Sequence, residues 1–134
     1  DIIDCWAIVD STAKLIETKP IKEELKMLDI LASTDEEFLI RYKYIKLFDY
    51  VTKDNLEIIF NNIMNSEFYY VLMGEAWLLA ECFIKHPDDT FLFIKNSEID
   101  NKIKLKTISK ICDSYRVNNE NKLKVKEFRN TLKK

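Results

Sequence analysis

Four side chains carry the chemistry this sequence could perform: Trp6, Asp10, Arg41 and Trp77. Trp6 and Asp10 are four residues apart, so on a helix they share a face, one turn from each other. Asp10 follows Ala7, Ile8 and Val9 and precedes Ser11, Thr12 and Ala13. A carboxylate in that company is either paired or presented at a site, because burying it alone is costly. Arg41 poses the mirror problem. Tyr44, Ile45 and Phe48 follow it at the third, fourth and seventh positions, which sets its guanidinium on an apolar helix face. A guanidinium buried there needs a carboxylate or a phosphate. Trp77 comes from the most apolar stretch of the chain, where it is either core or the wall of a cleft. Taken singly, packing accounts for each of the four. Trp77 reads as core, and Arg41 and Asp10 read as an ion pair with each other or with Glu36 and Glu37.

The elements that must position these residues are helices. Between Phe68 and Ile84 only Gly74, Glu75 and Glu81 are neither apolar nor aromatic. The stretch has no strict alternation, and it is too short and too interrupted by acids to span a bilayer. With Ser66 as a cap and Pro87 beyond its end, it reads as a helix covered on nearly every side, the pillar of an all-α domain. A first helix is expected over Ile2 to Glu17 and a second from Pro20 to about Leu31. Thr34 and Glu37 form a capping-box pattern for a third, to about Val51. A fourth runs from Thr52–Asp54 to about Met64, and a short sixth covers Pro87 to Lys95. Asp100 can cap a seventh, Asn101 to about Ser114, and Asn118 and Asn119 a last one, to about Leu132. Alternate helices begin near Ile2, Asp35, Glu67 and Asn101, at spacings of 33, 32 and 34 residues. That is the length of a helix–turn–helix repeat, and it favours a helical solenoid of the HEAT or TPR kind over a closed four-helix bundle.

Composition agrees. One Gly and two Pro among 134 residues are too few for the turns of a sheet protein. The chain is one domain able to bury a real core. Cys5, Cys82 and Cys112 are far apart and odd in number, and His86 is the single histidine, so three reduced thiols are expected and no metal or cofactor. The sequence shows neither a signal peptide nor a membrane span, and a cytoplasmic protein is expected. The net charge of −2 conceals an asymmetry, with −6 over residues 1–67 and +4 over residues 68–134. From Asn101 onward 11 Lys and Arg face 3 Asp and Glu. A polyanion could meet that C-terminal part, although a solvated helix face explains the same lysines. The chain begins with Asp1, almost inside a helical pattern, and is expected to be part of a longer array. An exposed apolar face near residues 1–20, and with it self-association, would follow.

Four separated segments carry a resemblance in order along the whole chain: DIIDCWAIVDS, EFLIRYKYIKLFDYV, YYVLMGEAWLLAECFIKHPDDTFLFIKN and ICDSYRVNNENK. Together they resemble the C-terminal part of the DNA alkylation repair family, the AlkD-like DNA glycosylases. The resemblance implies a right-handed superhelix of HEAT-like helix pairs with a concave face for double-stranded DNA. It implies excision of cationic N3- and N7-alkylated purines by cleavage of the N-glycosidic bond, at the DNA of the bacterial nucleoid. Carried over by position, Trp6 and Trp77 match the cleft tryptophans, Asp10 the catalytic aspartate and Arg41 the cleft arginine. Arg41, Lys43, Arg116 and Lys122 are the expected DNA contacts.

These residue types suit that reaction. An alkylated base already carries positive charge and leaves without a general acid. What remains is to stabilise an oxocarbenium-like sugar and to place a water, and one carboxylate serves both needs. Indole faces attract a cation, and a guanidinium holds a phosphate. Glu75 is expected to add negative charge close to Trp77. The alternative is a HEAT-like module that binds nucleic acid or protein without catalysis.

Overall fold

The computed structural model describes residues 20–33 and 36–132. Trp6, Asp10, the first expected helix, Thr34 of the capping box and the expected apolar face near residues 1–20 lie outside the described residues.

The described residues form seven α-helices and no strand. They are α1 (Ile21–Ala32), α2 (Glu37–Lys46), α3 (Leu56–Asn61), α4 (Tyr69–Lys85), α5 (Pro87–Asn96), α6 (Asn101–Asp113) and α7 (Asn119–Leu132). None is long and apolar enough to cross a membrane.

Several expected boundaries shift by one to five residues, for local reasons. Pro20 is the N-cap of α1 rather than its first residue. The expected helix to Val51 is α-helical only to Lys46 and tightens into a 3-10 turn over Leu47–Tyr50, which buries Leu47 and Tyr50. A second 3-10 turn, Lys53–Asn55, leads into α3. That helix stops at Asn61 rather than Met64. The Met64 N–H bonds a carboxylate oxygen of Glu75 at 3.0 Å instead of a helical carbonyl. Ser66 accepts from the Phe68 N–H as a turn, and Phe68 holds the N-cap position of α4. Asp100 sits at the N-cap of α6 without a side-chain capping bond. Asn118 caps as expected, its Oδ1 accepting from the Asn121 N–H at 2.8 Å.

The pillar is α4. Its residues enter all three hydrophobic clusters. Val71, Leu78 and Cys82 meet α1, α2 and α3 around Leu25, Tyr44 and Ile59. Ala80 and Phe83 meet α5, α6 and α7 around Ile94, Ile108, Ile111 and Val125. Leu72 and Leu79 meet Ile103. Each Val, Leu, Ile or Phe side chain buried this fully contributes roughly 1.5–3 kcal/mol of transfer free energy.

Helices α2 and α6 flank α4, and contacts near both ends run all three in the same direction. Glu37 at the start of α2 accepts from the backbone N–H of Tyr70 at the start of α4, 33 residues on. Phe48, just past the end of α2, meets Trp77 further along α4. On the other side the Asp100 N–H donates to Asn65, and Arg116 reaches Glu81, each 35 residues apart. The hydrogen-bonded offsets, 33, 35 and 35 residues, lie close to the spacing read from the sequence, while Phe48 and Trp77 are 29 apart.

Candidate functional site

Trp77 is not core. Its position on α4 turns it out of all three clusters, and 42% of the residue is exposed. Its ring meets Phe48 edge-on, with centroids 5.0 Å apart, and that contact fixes the indole against the α2 side. The Arg41 guanidinium carbon lies 5.9 Å from the indole centroid, within cation–π range. Arg41 comes from the second turn of α2 and is 7% exposed. Its Nη1 donates to the Tyr70 carbonyl at 3.0 Å. Two of the four expected site residues therefore meet, brought together by the parallel packing of α2 and α4. Trp6 and Asp10 lie outside the described residues.

Gly74 makes the meeting fit. A Cβ at this position would stand 3.3 Å from Arg41 Nη1 and 3.5 Å from Arg41 Cγ. Gly74→Ala gains about 1 kcal/mol of helix propensity, and the group it presses is a flexible side chain. The expected result is a stability within about 1 kcal/mol of the parent in urea denaturation, with Arg41 displaced from Trp77. A changed indole N–H chemical shift for Trp77 reports the displacement; an unchanged one would show that Arg41 does not depend on this clearance.

The groove beside Trp77 runs between α4 and the end of α6, with a volume of about 300 Å³. Ala80 and Ile84 form its apolar floor, and Glu81, Lys110, Asp113 and Arg116 its polar rim. Partial burial, then the nearby Arg41 and Lys106, push the Lys110 ammonium below its ordinary value, while Asp113 acts the other way. Arg41 and Lys106 thus both lie close enough to Lys110 to repel its charge. Neither Lys106 nor Lys110 is among the residues singled out in the sequence. The available signal was the repeat itself, since Lys110 follows Trp77 by one repeat length.

The remaining expected contacts are placed differently from one another. Lys43 is buried, with its ammonium on Asp29 at 2.8 Å. Arg116 is half-exposed and holds the Glu81 carboxylate at 3.2 Å, closing one end of the groove. Lys122 is half-buried in the first turn of α7.

Glu75 does not lie beside Trp77. Two positions along a helix differ by about 200°, and Glu75 shares the core face of Val71, Leu78 and Cys82. It is fully buried, one oxygen accepting from the Met64 N–H and the carboxylate lying against Tyr44. Burial pushes its carboxyl up to about 7, against the pull of the Met64 and Tyr44 contacts and of Lys43. Burial and the same carboxylate push the Tyr44 phenol up, and its hydroxyl donates to the Asn62 carbonyl at 2.8 Å. Cys82 is a free, buried thiol pushed up to about 12 by burial and by Glu81, which makes it a poor nucleophile. Among the described residues no cluster of His, Cys, Asp and Glu could hold a metal ion.

The site is therefore an indole with a guanidinium against it and an ammonium group on the groove rim. It can hold an anionic backbone and offer an aromatic face to a cation. Compared with protein-family models, curated proteins and solved structures, the chain matches none of them.

Proposed function

We propose that this chain is the C-terminal part of a DNA glycosylase of the alkylation-repair type. Its scaffold would be a right-handed superhelix of HEAT-like pairs, and its substrate a cationic N3- or N7-alkylated purine in double-stranded DNA. One observation carries the reading: the Trp77 ring stands open in a groove, with Arg41 against it and Lys110 on the rim. In the reaction the bond from C1′ to the purine nitrogen breaks, and its electron pair neutralises the departing base. Trp77 would stabilise the cationic base or sugar through its ring face. Arg41 and Lys110 would hold the flanking phosphates. Asp10 would stabilise the sugar cation and orient the water that adds to C1′, whose proton passes to solvent. No cofactor is required, because the alkyl group has already made the base a leaving group.

The test is release of 7-methylguanine from methylated duplex DNA by the full-length protein, with Asp10→Asn as the negative control. Trp77→Ala should lower the single-turnover rate about fivefold, the size of a cation–π contact of about 1 kcal/mol at a partly exposed site. A full-length protein that releases no base would sink the proposal. The second reading, a HEAT-like module that binds without catalysis, draws support from the Arg41 bond to the Tyr70 carbonyl, which already engages the guanidinium within the protein. In that case Trp77→Ala would weaken DNA binding and no base would appear.

A further inference from the structure

A larger groove, of about 920 Å³, opens near the other end of α4. It shares no lining residue with the Trp77 groove. Tyr69 and Trp77 are eight residues apart on α4, so the two sites are separated by about 12 Å along its axis. Leu72 and Leu105 give the larger groove an apolar floor, Phe68 and Tyr69 an aromatic wall, and Lys102, Lys106 and Arg129 a basic one.

Three features fit this groove to one class of ligand. The first is aromatic. Phe68 and Tyr69 are both exposed, and Tyr69 is 57% accessible while its ring is braced edge-on by Tyr70 at 5.3 Å. A braced, open ring is a stacking platform for a base. The second is cationic. Lys102 and Lys106 are one helical turn apart, so their Cβ atoms are about 6 Å from each other, a spacing comparable with successive phosphates of an extended strand. None of the ion pairs among the described residues involves Lys102, Lys106 or Arg129. The Arg129 Nε is buried without a hydrogen-bond partner in the protein. The third is balance. Glu67 and Asp100 also line the groove, so three cations face two carboxylates and the field alone holds a phosphate only weakly. A ligand that stacks as well as neutralises gains from both walls.

We infer that this groove binds a short unpaired segment of nucleic acid, with bases stacked on Tyr69 and Phe68 and phosphates on Lys102, Lys106 and Arg129. A paired duplex keeps its base faces inside the stack and could use only the basic wall. The inference does not depend on base release. A chain that cleaves no glycosidic bond could still hold a strand here, and a failure of binding here would leave the Trp77 reading untouched.

The experiment is fluorescence anisotropy of the full chain with a short fluorescein-labelled oligothymidylate, over a range of salt. Three phosphate contacts to a single strand give a slope of log K against log[salt] of roughly −2. Lys102→Gln combined with Lys106→Gln should bring the slope to about −0.7. Tyr69→Ala should weaken binding about tenfold, and Phe68→Ala by a similar or smaller factor, with the slope unchanged. All four residues are exposed, and a denaturation curve matching the parent's will confirm that each variant is folded. Duplex binding weakened by Tyr69→Ala as much as oligothymidylate binding, full competition by inorganic phosphate, preference for an acidic peptide, or indifference to Tyr69→Ala would each overturn the inference.

Discussion

Glu75→Gln is expected to raise the stability of the fold at pH 8 by about 1–3 kcal/mol and to leave it unchanged below about pH 4. Burial lifts the Glu75 carboxyl from an ordinary 4.5 to about 7 in the folded chain. Between those values the folded state binds a proton that the unfolded state has released. Stability therefore falls as pH rises from about 4.5 to about 7, and the loss is complete above it. A shift of this size corresponds to about 3 kcal/mol, a large part of the 5–15 kcal/mol that typically holds a domain together. Glutamine keeps the acceptor for the Met64 N–H, offers a donor to the Tyr44 hydroxyl and never ionises. Below about pH 4 the carboxyl is neutral in the folded and the unfolded parent alike, so the two proteins should coincide. Urea denaturation from about pH 3.5 to pH 8 checks this. Parallel curves for parent and variant would show that Glu75 titrates normally and that the pH dependence arises elsewhere.

The largest loss from a single substitution is expected at Phe83. This ring is almost wholly buried where α4 meets α5, α6 and α7, against Ile94, Ile108, Ile111 and Val125. Phe83→Ala removes the ring's transfer free energy and leaves a cavity that four helices would have to close together, at a cost of about 3–5 kcal/mol. For a chain of this length that is a fall in Tm of roughly 10–20 °C. Phe83→Leu keeps most of the volume and should cost less than about 1.5 kcal/mol. Thermal melts followed by far-UV circular dichroism distinguish the two. A small loss in Phe83→Ala would mean that the cluster around Ile108 and Ile111 collapses onto the gap and that α4 is less central than its burial implies.

Much of this architecture was legible in the residues. Pro87 marked the break between α4 and α5, Asn118 capped α7, and the apolar run from Phe68 identified the pillar, because such signals act through the local backbone. The 3-10 turns over Leu47–Tyr50 and Lys53–Asn55 were not legible. They tighten the chain so that Leu47 and Tyr50 reach a core assembled by other helices. The early stop of α3 at Asn61 comes from a Glu75 carboxylate more than ten residues away. The site divides in the same way. Arg41 stood out because it follows an apolar helical pattern, and its meeting with Trp77 required the register between α2 and α4. The exposure of Trp77 was hidden by composition, since an indole among apolar residues looks the same whether it faces core or groove. Lys43 was expected as a DNA contact, and its pairing with Asp29 was hidden because the partner lies on a different helix. Glu75 was misplaced by treating nearness along the chain as nearness on the helix, where the second neighbour faces away.

The position of α4 also decides what kinds of inherited change this molecule can absorb. Its faces carry three cores and one wall of the groove, so exchanges of residue are judged one position at a time. A change of length is judged everywhere at once. One residue inserted before Gly74 would turn all that follows by about 100°, swinging Trp77 away from Phe48 and Arg41 and pulling Leu78, Cys82 and Phe83 off their clusters together. The segment between Asn61 and Phe68 is under no such constraint on helical phase. Related chains should therefore keep the reading length of α4 while varying its letters, and place their insertions and deletions in that connecting segment.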